Sequence, residues 1–200
     1  MASDTRDTLV AVAAQLLDEG GPEAVTLREV GHRAGVSHNA PYKHFADKEA
    51  LLAAVAAGEL ARRTASLYAT RASAEARGLT PQEAVRAAMR GYVAWAVEFP
   101  QRFRLVFGSW SKDSDELAAA AGAARDLLVD MVAEAQRAGR LPAADPERLA
   151  SLLLAVTHGA VDLALAGHLS PDGKGRATPE DLAEDLFGYL EAAAPASSAT

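Results

Sequence analysis

Apolar side chains recur every three or four positions through most of the chain, which is the spacing of an amphipathic helix. The clearest early example runs from Leu9 to Leu17, and the Gly20-Gly21-Pro22 sequence is expected to end that helix. No stretch shows convincing alternation of apolar and polar residues, the pattern of a half-buried strand. We therefore predict an all-α fold with about nine helices.

Three later helices have plain N-terminal signals. Thr80, Asp145 and Thr178 each supply a capping oxygen, and each is followed by a proline and then by acids. Proline suits the first helical position, and acids in the first turn offset the helix dipole. Between these starts we expect a short helix over 100–108 and a long alanine-rich helix over 114–138.

Residues 26–48 predict two short helices joined by a tight turn, followed by the start of a third helix. Thr26 can cap the first helix, and Glu29 three positions later completes a capping box. Gly35 is expected to take the left-handed conformation that ends this helix. This arrangement is a helix-turn-helix.

The polar residues of this segment make it a candidate for DNA binding. From Arg28 to Lys48 there are four lysines and arginines against two acids, and three of the five histidines also lie here. Such side chains donate to phosphate oxygens, and their polar tips can read base edges. The pattern alone leaves open a small helical subdomain with a solvated face, because helix-turn-helix geometry also occurs in ordinary all-α proteins.

The run from Gly35 to Leu52 resembles the recognition-helix signature of the TetR family of transcriptional repressors. It contains a Gly-Val-Ser turn, a helix bearing Tyr, Lys, His and Phe, and a Lys-Glu-x-Leu start to the next helix. The resemblance covers about the first 55 residues. It implies a DNA-binding domain over 1–50 and a ligand-binding and dimerisation domain over 51–193. We expect residues 194–200 to form a disordered tail.

The resemblance also implies roles for individual residues. Tyr42 and Lys48 are expected to bind phosphates, and Thr26 and Arg28 to meet the DNA backbone from the other side. His38, Asn39 and Lys43 are candidates for base contacts. The full predicted DNA-binding set is Thr26, Arg28, Ser37, His38, Asn39, Tyr42, Lys43, His44 and Lys48.

Two residues depart from the family pattern. Gly31 stands where the family usually has a better helix former, at a cost of about 1 kcal/mol in a helix interior. Pro41 removes an N–H and biases Ala40 away from helical geometry. We therefore expect the recognition helix to start late, with Asn39 rather than Ser37 as its cap.

Composition restricts the function further. The net charge is −7 and the pI is near 5.2, so DNA binding must depend on a local basic patch and should be sensitive to salt. The absence of cysteine excludes disulfides and fits a reducing cytosol, so we expect a cytoplasmic protein. No apolar run approaches 18 residues, and Asp4 and Asp7 do not suit a signal peptide. We expect no membrane association.

Six of the eleven aromatic residues lie between Tyr92 and Trp110. They form either the core of the second domain or an apolar pocket for a small effector, and the sequence leaves both open. The predicted pocket residues are Met89, Tyr92, Trp95, Phe99, Phe103, Phe107, Trp110, Met131, His158 and Asp162. We expect a mostly apolar effector whose one or two polar groups meet His158 or Asp162.

A second, weaker resemblance concerns the C-terminal part. The run from Phe99 to Gly108, with Thr157-His158-Gly159, is similar to a TetR subfamily named for a Trp-His-Gly motif, although Thr157 replaces the tryptophan. His158 and Asp162 share a helix face, but two ligands are too few for a metal site. No catalytic motif or cofactor loop is present, so we predict neither an enzyme nor a bound cofactor.

The last two long helices carry more apolar surface than one intramolecular partner needs. We predict that they form a four-helix bundle across the two-fold axis of a homodimer. The predicted interface is Leu149, Leu152, Leu153, Val156, Ala160, Leu163, Leu182, Leu186, Phe187 and Leu190. A helix from Lys48 to about Ala72 would link the two domains, and effector binding would tilt the recognition helices and release operator DNA. The alternative is an all-α small-molecule-binding protein or enzyme in which the helix-turn-helix is only structural.

Overall fold

The computed structural model describes residues 2–194, and these form nine α-helices with no β-strand. The helices are α1 (Ala2–Ala24), α2 (Leu27–Arg33), α3 (Ala40–His44), α4 (Lys48–Ala76), α5 (Pro81–Glu98), α6 (Pro100–Val106), α7 (Asp115–Arg137), α8 (Pro146–Leu165) and α9 (Pro179–Ala193). The predicted all-α fold is confirmed. Of the predicted tail, Ala194 is the C-cap of α9, and residues 195–200 lie outside the described range.

Local sequence signals account for most helix ends. The backbone leaves helical geometry at Gly20 and Gly21, as predicted, although one further turn follows and α1 is therefore kinked rather than ended there. The carboxylate of Asp145 accepts hydrogen bonds from two backbone N–H groups in the first turn of α8. Thr178 and Asp181 form a complete capping box at α9. These caps satisfy donors that a helix start leaves free.

The chain forms two compact units that differ from the domains predicted at 1–50 and 51–193. The first unit contains Met1–Arg63 and Phe99–Ala124, and the second contains Thr64–Glu98 and Arg125–Thr200. The division between the units falls inside α4. Contacts of α6 with α1 explain why a segment from the middle of the chain belongs to the first unit.

The core of the first unit is built mainly from α1, α2 and the first part of α4. Its fully buried side chains include Leu9, Leu17, Val25, Val30, Leu51 and Val55, and Leu105 and Trp110 pack against them. The α6 residue Arg102 donates to Asp18 of α1 (Nη2–Oδ2 2.6 Å) and to Glu59 of α4 (Nη1–Oε2 3.2 Å). Apolar packing and this ion-pair cluster together hold α6 to the first unit.

The second unit has its own apolar core, to which α5, α7, α8 and α9 contribute. Buried members include Val85, Met89, Met131, Val132, Leu153 and Phe187. Ion pairs at its surface join α5 to α9, with Arg90 Nε 2.6 Å from the Glu184 carboxylate and Arg86 paired with Glu191. The predicted polar loop over 170–178 is exposed except for Ala177, which packs in a small satellite cluster, and the partly exposed Thr178.

Candidate nucleic-acid interface

Helix α2 begins where the sequence predicted. Thr26 has an extended backbone, and its Oγ1 accepts a hydrogen bond from the Glu29 N–H at 3.1 Å. The Glu29 carboxylate pairs with Arg33 four residues later (Nε–Oε1 3.2 Å). Arg33 also donates to Glu19 (Nη1–Oε2 2.6 Å), and this hydrogen bond raises the pKa of its guanidinium. Arg33 is therefore engaged within the fold.

The turn after α2 is a Schellman motif. The N–H of Gly35 donates to the carbonyl of His32, and the N–H of Val36 donates to the carbonyl of Gly31, both at 3.1 Å. Gly35 has φ +67°, and a Cβ placed there would meet nothing within 4 Å. The positive φ, not lack of space, therefore requires glycine at this turn.

Helix α3, the predicted recognition helix, contains only five residues and starts late, as the sequence predicted. Asn39 is the N-cap by position, but its side chain makes no capping hydrogen bond. The Ala40 N–H donates to the carbonyl of Ser37 at 2.9 Å, so a turn precedes the helix. The Asn39 amide is exposed, and Pro41 is buried against α2.

The start of α4 is capped and clamped by the segment between α6 and α7. Asp47 accepts from the Ala50 N–H at 2.9 Å and pairs with Lys112, and the hydrogen bond from Lys112 lowers the pKa of the Asp47 carboxyl. Glu49 accepts from the backbone N–H of Ser111 at 2.6 Å and from that of Lys112 at 3.2 Å. Hydrogen bonds from Ser111 lower the pKa of Glu49. These contacts hold the first turn of α4, which carries Lys48.

All nine predicted DNA-binding residues lie in the first unit. Seven of them are exposed, namely Thr26, Arg28, Ser37, His38, Asn39, Tyr42 and Lys43, whereas His44 and Lys48 are half-buried. The Nζ of Lys48 lies 3.9 Å from the carboxylate of Glu23, which is itself almost fully exposed. Among the described residues, no acid lies within ion-pair distance of Arg28 or Lys43.

A cleft of about 490 Å³ opens on this surface. It is lined by Thr26, Arg28, Glu29, His32, Val36 and His38. His32 and Val36 were not in the predicted set. His32 lies four residues after Arg28 and so shares its helix face, which is a signal that could have identified it. Two histidines and an arginine at one cleft suit the phosphate oxygens of a nucleic acid.

The predicted pocket residues are divided between the two units. Phe99, Phe103, Phe107 and Trp110 belong to the first unit, where Phe103 is buried and its ring centroid lies 5.7 Å from that of Phe107. The other six belong to the second unit, where Met89, Trp95 and Met131 are buried and Asp162 is exposed.

Within the second unit, Tyr92 and His158 form a polar pair. The Tyr92 hydroxyl lies 3.0 Å from His158 Nδ1, and the ring centroids of Tyr92 and Trp95 are 5.8 Å apart. Burial raises the pKa of the Tyr92 phenol well above its ordinary value and lowers that of the His158 imidazole. Both groups are therefore neutral at pH 7, so the pair suits a neutral polar group of a ligand better than a charged one.

The predicted dimer residues also separate into two sets. Leu149, Leu153, Ala160 and Phe187 are buried in the second unit's own clusters, so they offer little surface to a partner. Leu152 and Leu163 are each 47% exposed, and Val156, Leu182, Leu186 and Leu190 are partly exposed. The helical period explains the division, because positions 149, 153 and 160 share the inner face of α8.

The fold and this interface define a helix-turn-helix transcriptional regulator. Residues 9–55 match the family described as "Bacterial regulatory proteins, tetR family", and residues 85–188 match "Tetracyclin repressor-like, C-terminal domain". The chain therefore belongs to the TetR family. Membership of the Trp-His-Gly subfamily stays a prediction. No curated protein matches the chain.

Several solved structures share this fold. A protein of unknown function from Rhodococcus sp. RHA1 is 31% identical, with 95% of each chain covered and a TM-score of 0.80. RolR in complex with resorcinol is 19% identical over 94% of this chain and 88% of its own, with a TM-score of 0.64. AibR in complex with isovaleryl coenzyme A and operator DNA is 20% identical over 94% and 98%, with a TM-score of 0.60.

Proposed function

We propose that this protein is a ligand-responsive repressor that binds a near-palindromic operator as a homodimer and is released by a small, mostly apolar effector. The observation that carries the proposal is the set of exposed polar side chains that the helix-turn-helix presents from Arg28 to Lys43. A capped α2, a Schellman turn and a clamped α4 hold these side chains in place. Such preorganisation is what base and phosphate recognition needs.

The DNA contacts follow from position and charge. Tyr42 and Lys43 project from α3 into solvent, and Lys48 lies in the first turn of α4, where free N–H groups favour phosphate. Because the whole chain carries a net charge of −7, this local surface must supply the attraction. AibR, which has a similar fold, was solved with operator DNA.

The dimer is supported by the outer face of α8. Leu152, Val156, Gly159 and Leu163 follow one another at spacings of four, three and four residues, which places them on one stripe. A Cβ placed on Gly159 would meet nothing within 4 Å. By length and composition alone α8 could cross a membrane, and a third of its apolar stretch is buried. We attribute the exposed remainder to a second copy of the chain, which brings two recognition helices to two half-sites.

The effector proposal rests on Tyr92 and His158, a neutral hydroxyl–imidazole pair beside the apolar ring of Trp95 in the second unit. We expect a ligand whose apolar body is larger than its one or two polar groups. RolR was solved with resorcinol, which is such a molecule.

DNA binding is tested by selection of duplexes from a randomised library, followed by affinity measurements over a range of salt concentrations. Lys48→Ala should weaken all duplexes about equally and reduce the salt slope by about one unit, because one phosphate contact is lost. Lys174→Ala removes the same charge from an exposed loop of the second unit and should change neither quantity. A protein that enriches no duplex even at low salt would refute the proposal.

The dimer is tested by sedimentation at micromolar concentration. The wild-type protein should sediment at twice the 20.8 kDa chain mass. Gly159→Leu should yield a monomer, because a branched side chain on the outer stripe prevents close approach of the partner helix. Gly91→Leu is the matched control, since Gly91 is also helical with open space before it but lies on α5. A dimeric Gly159→Leu variant would place the interface elsewhere.

A further inference from the structure

The two residues that depart from the TetR pattern touch each other. A Cβ built on Gly31 would lie 2.8 Å from Cγ of Pro41 and 3.4 Å from its Cδ, and both residues are buried. Carbon atoms do not approach to 2.8 Å without displacement, because the van der Waals minimum is about 3.5–4.0 Å. Gly31 is therefore required by the proximity of the Pro41 ring and not by a positive φ, which it does not have.

This contact matters because α3 is too short to be positioned by its own stability. A five-residue helix is far below the length at which an isolated helix forms in water. Its Asn39 side chain provides no cap, and Pro41 lacks an N–H group. Packing on α2 must therefore hold α3, and Pro41 is the residue that α3 buries there.

The contact between Gly31 and Pro41 also determines the direction of the side chains that are proposed to contact bases. Pro41 faces α2, and its sequence neighbours Asn39, Tyr42 and Lys43 are exposed on other faces. The ring of Tyr42 also lies 6.0 Å from that of His38. A shift of Pro41 away from α2 would carry these side chains with it, because the first turn of α3 moves as one body.

We propose that Gly31 and Pro41 form a lock that sets the register of α3 and thereby determines which operator sequence the protein prefers. They are positioning residues and do not contact DNA themselves. The inference rests on the DNA-binding role proposed above. A methyl group at residue 31 must push Pro41 outward by about 0.7–1.2 Å to restore normal contact. That displacement is large compared with the tolerance of a direct hydrogen bond to a base.

The test compares Gly31→Ala, Pro41→Ala and the double variant in the library selection, with affinities measured for the preferred duplex and for an unrelated duplex. Gly31→Ala should change the preferred bases or lower the ratio of specific to non-specific affinity by about 5–150-fold, the value of a good base contact. Non-specific affinity should stay within about twofold, because the phosphate contacts remain.

The double variant provides the decisive comparison. Alanine at position 41 has neither Cγ nor Cδ, so it removes both close approaches to the methyl group of residue 31. The double variant should therefore recover part of the wild-type base preference that Gly31→Ala loses, and it should be more selective than Pro41→Ala, because the methyl group of residue 31 fills part of the space that the proline ring vacates. Pro41→Ala alone creates no clash and should broaden the preference, because α3 loses its buried anchor. The Pro41→Ala variant keeps the test decisive if the Gly31→Ala variant does not fold.

Gly58→Ala is the matched control. It makes the same change within a helix of the first unit, where the nearest atom to the new Cβ is the Arg62 guanidinium at 3.8 Å. It should leave the preferred sequence unchanged. The lock is refuted if Gly31→Ala and Pro41→Ala both keep the wild-type preference, or if the double variant recovers nothing. A wild-type protein that binds no duplex would instead refute the proposed function.

Discussion

Replacement of Arg102 by alanine should destabilise the first unit more than the same replacement of Arg104, the other charged residue of α6. Arg102 donates to the Asp18 carboxylate from Nε, at 2.9 and 3.1 Å, and from Nη2, at 2.6 Å, and it donates to Glu59 from Nη1 at 3.2 Å. Its guanidinium also lies 4.6 Å from the ring centroid of Phe99. The hydrogen bond to Asp18 raises the pKa of Arg102, so the guanidinium stays charged throughout the working range of pH.

Burial sets the magnitude. The side chains of Arg102 and Glu59 are only 17% and 3% exposed, and removing one partner of a buried pair costs about 3–5 kcal/mol. Two features reduce this figure here. Glu59 keeps Arg62 at 2.5 Å, and Asp18 is 30% exposed and can be rehydrated. We therefore expect a loss of about 2–3 kcal/mol, between the costs of buried and exposed pairs.

The assay is urea unfolding followed by the fluorescence of Trp110, which packs against the first unit's core. A Trp95→Phe background removes the signal of the second unit. Arg104→Ala is the control, because Arg104 is exposed on the same helix and loses the same charge. It should change stability by no more than about 0.5 kcal/mol. If Arg102→Ala shifts the Trp110 transition no more than Arg104→Ala, the ion-pair cluster does not hold α6.

Three further predictions concern local electrostatics and capping. Thr178→Ala should destabilise the second unit by about 1 kcal/mol, measured from its Trp95 unfolding transition, while Thr178→Ser should retain the cap. Burial lowers the pKa of His158 in the folded protein, so the imidazole binds a proton more readily in the unfolded state. Acidification through about pH 6.5 should therefore lower the free energy of unfolding of the wild type. The His158→Gln variant should lose less stability between pH 7.5 and 5.5. Lys112→Ala should raise the carboxyl pKa of Asp47 in an NMR titration, and an unchanged value would contradict the assigned hydrogen bond.

Most features encoded by a few neighbouring residues were predicted correctly, although the capping box at α2 is only half formed because the Glu29 carboxylate pairs with Arg33 and not with the Thr26 N–H. The caps at Thr26, Asp145 and Thr178 depend on one side chain and the N–H groups two or three positions later. The late start of α3 follows from Pro41 itself. In each case the deciding interaction is complete within a single turn, so no tertiary information is needed.

Features that depend on distant partners were missed. Arg102 and Asp18 are 84 positions apart, so nothing in either local sequence places α6 in the first unit. The helical pattern of α8 identified many apolar positions but not which of its faces the second unit covers. Gly31 was read as a cost to α2, because the benefit, close contact with Pro41, exists only after α2 and α3 pack together.

The first unit is built from two separate segments of the chain, and this has a consequence for biosynthesis. Its two parts, ending at Arg63 and beginning at Phe99, are separated along the chain by a segment of the second unit. At about 5–20 residues per second, ribosomes need roughly 3–12 s to extend the nascent chain from position 63 to position 124. For roughly the first 2–8 s of that interval, until position 102 has been added, Glu59 lacks Arg102 and the α1 surface that receives α6 stays open. Completion of the DNA-binding unit is therefore timed by translation of a later segment, and a gene fragment truncated near Arg63 would encode an incomplete unit.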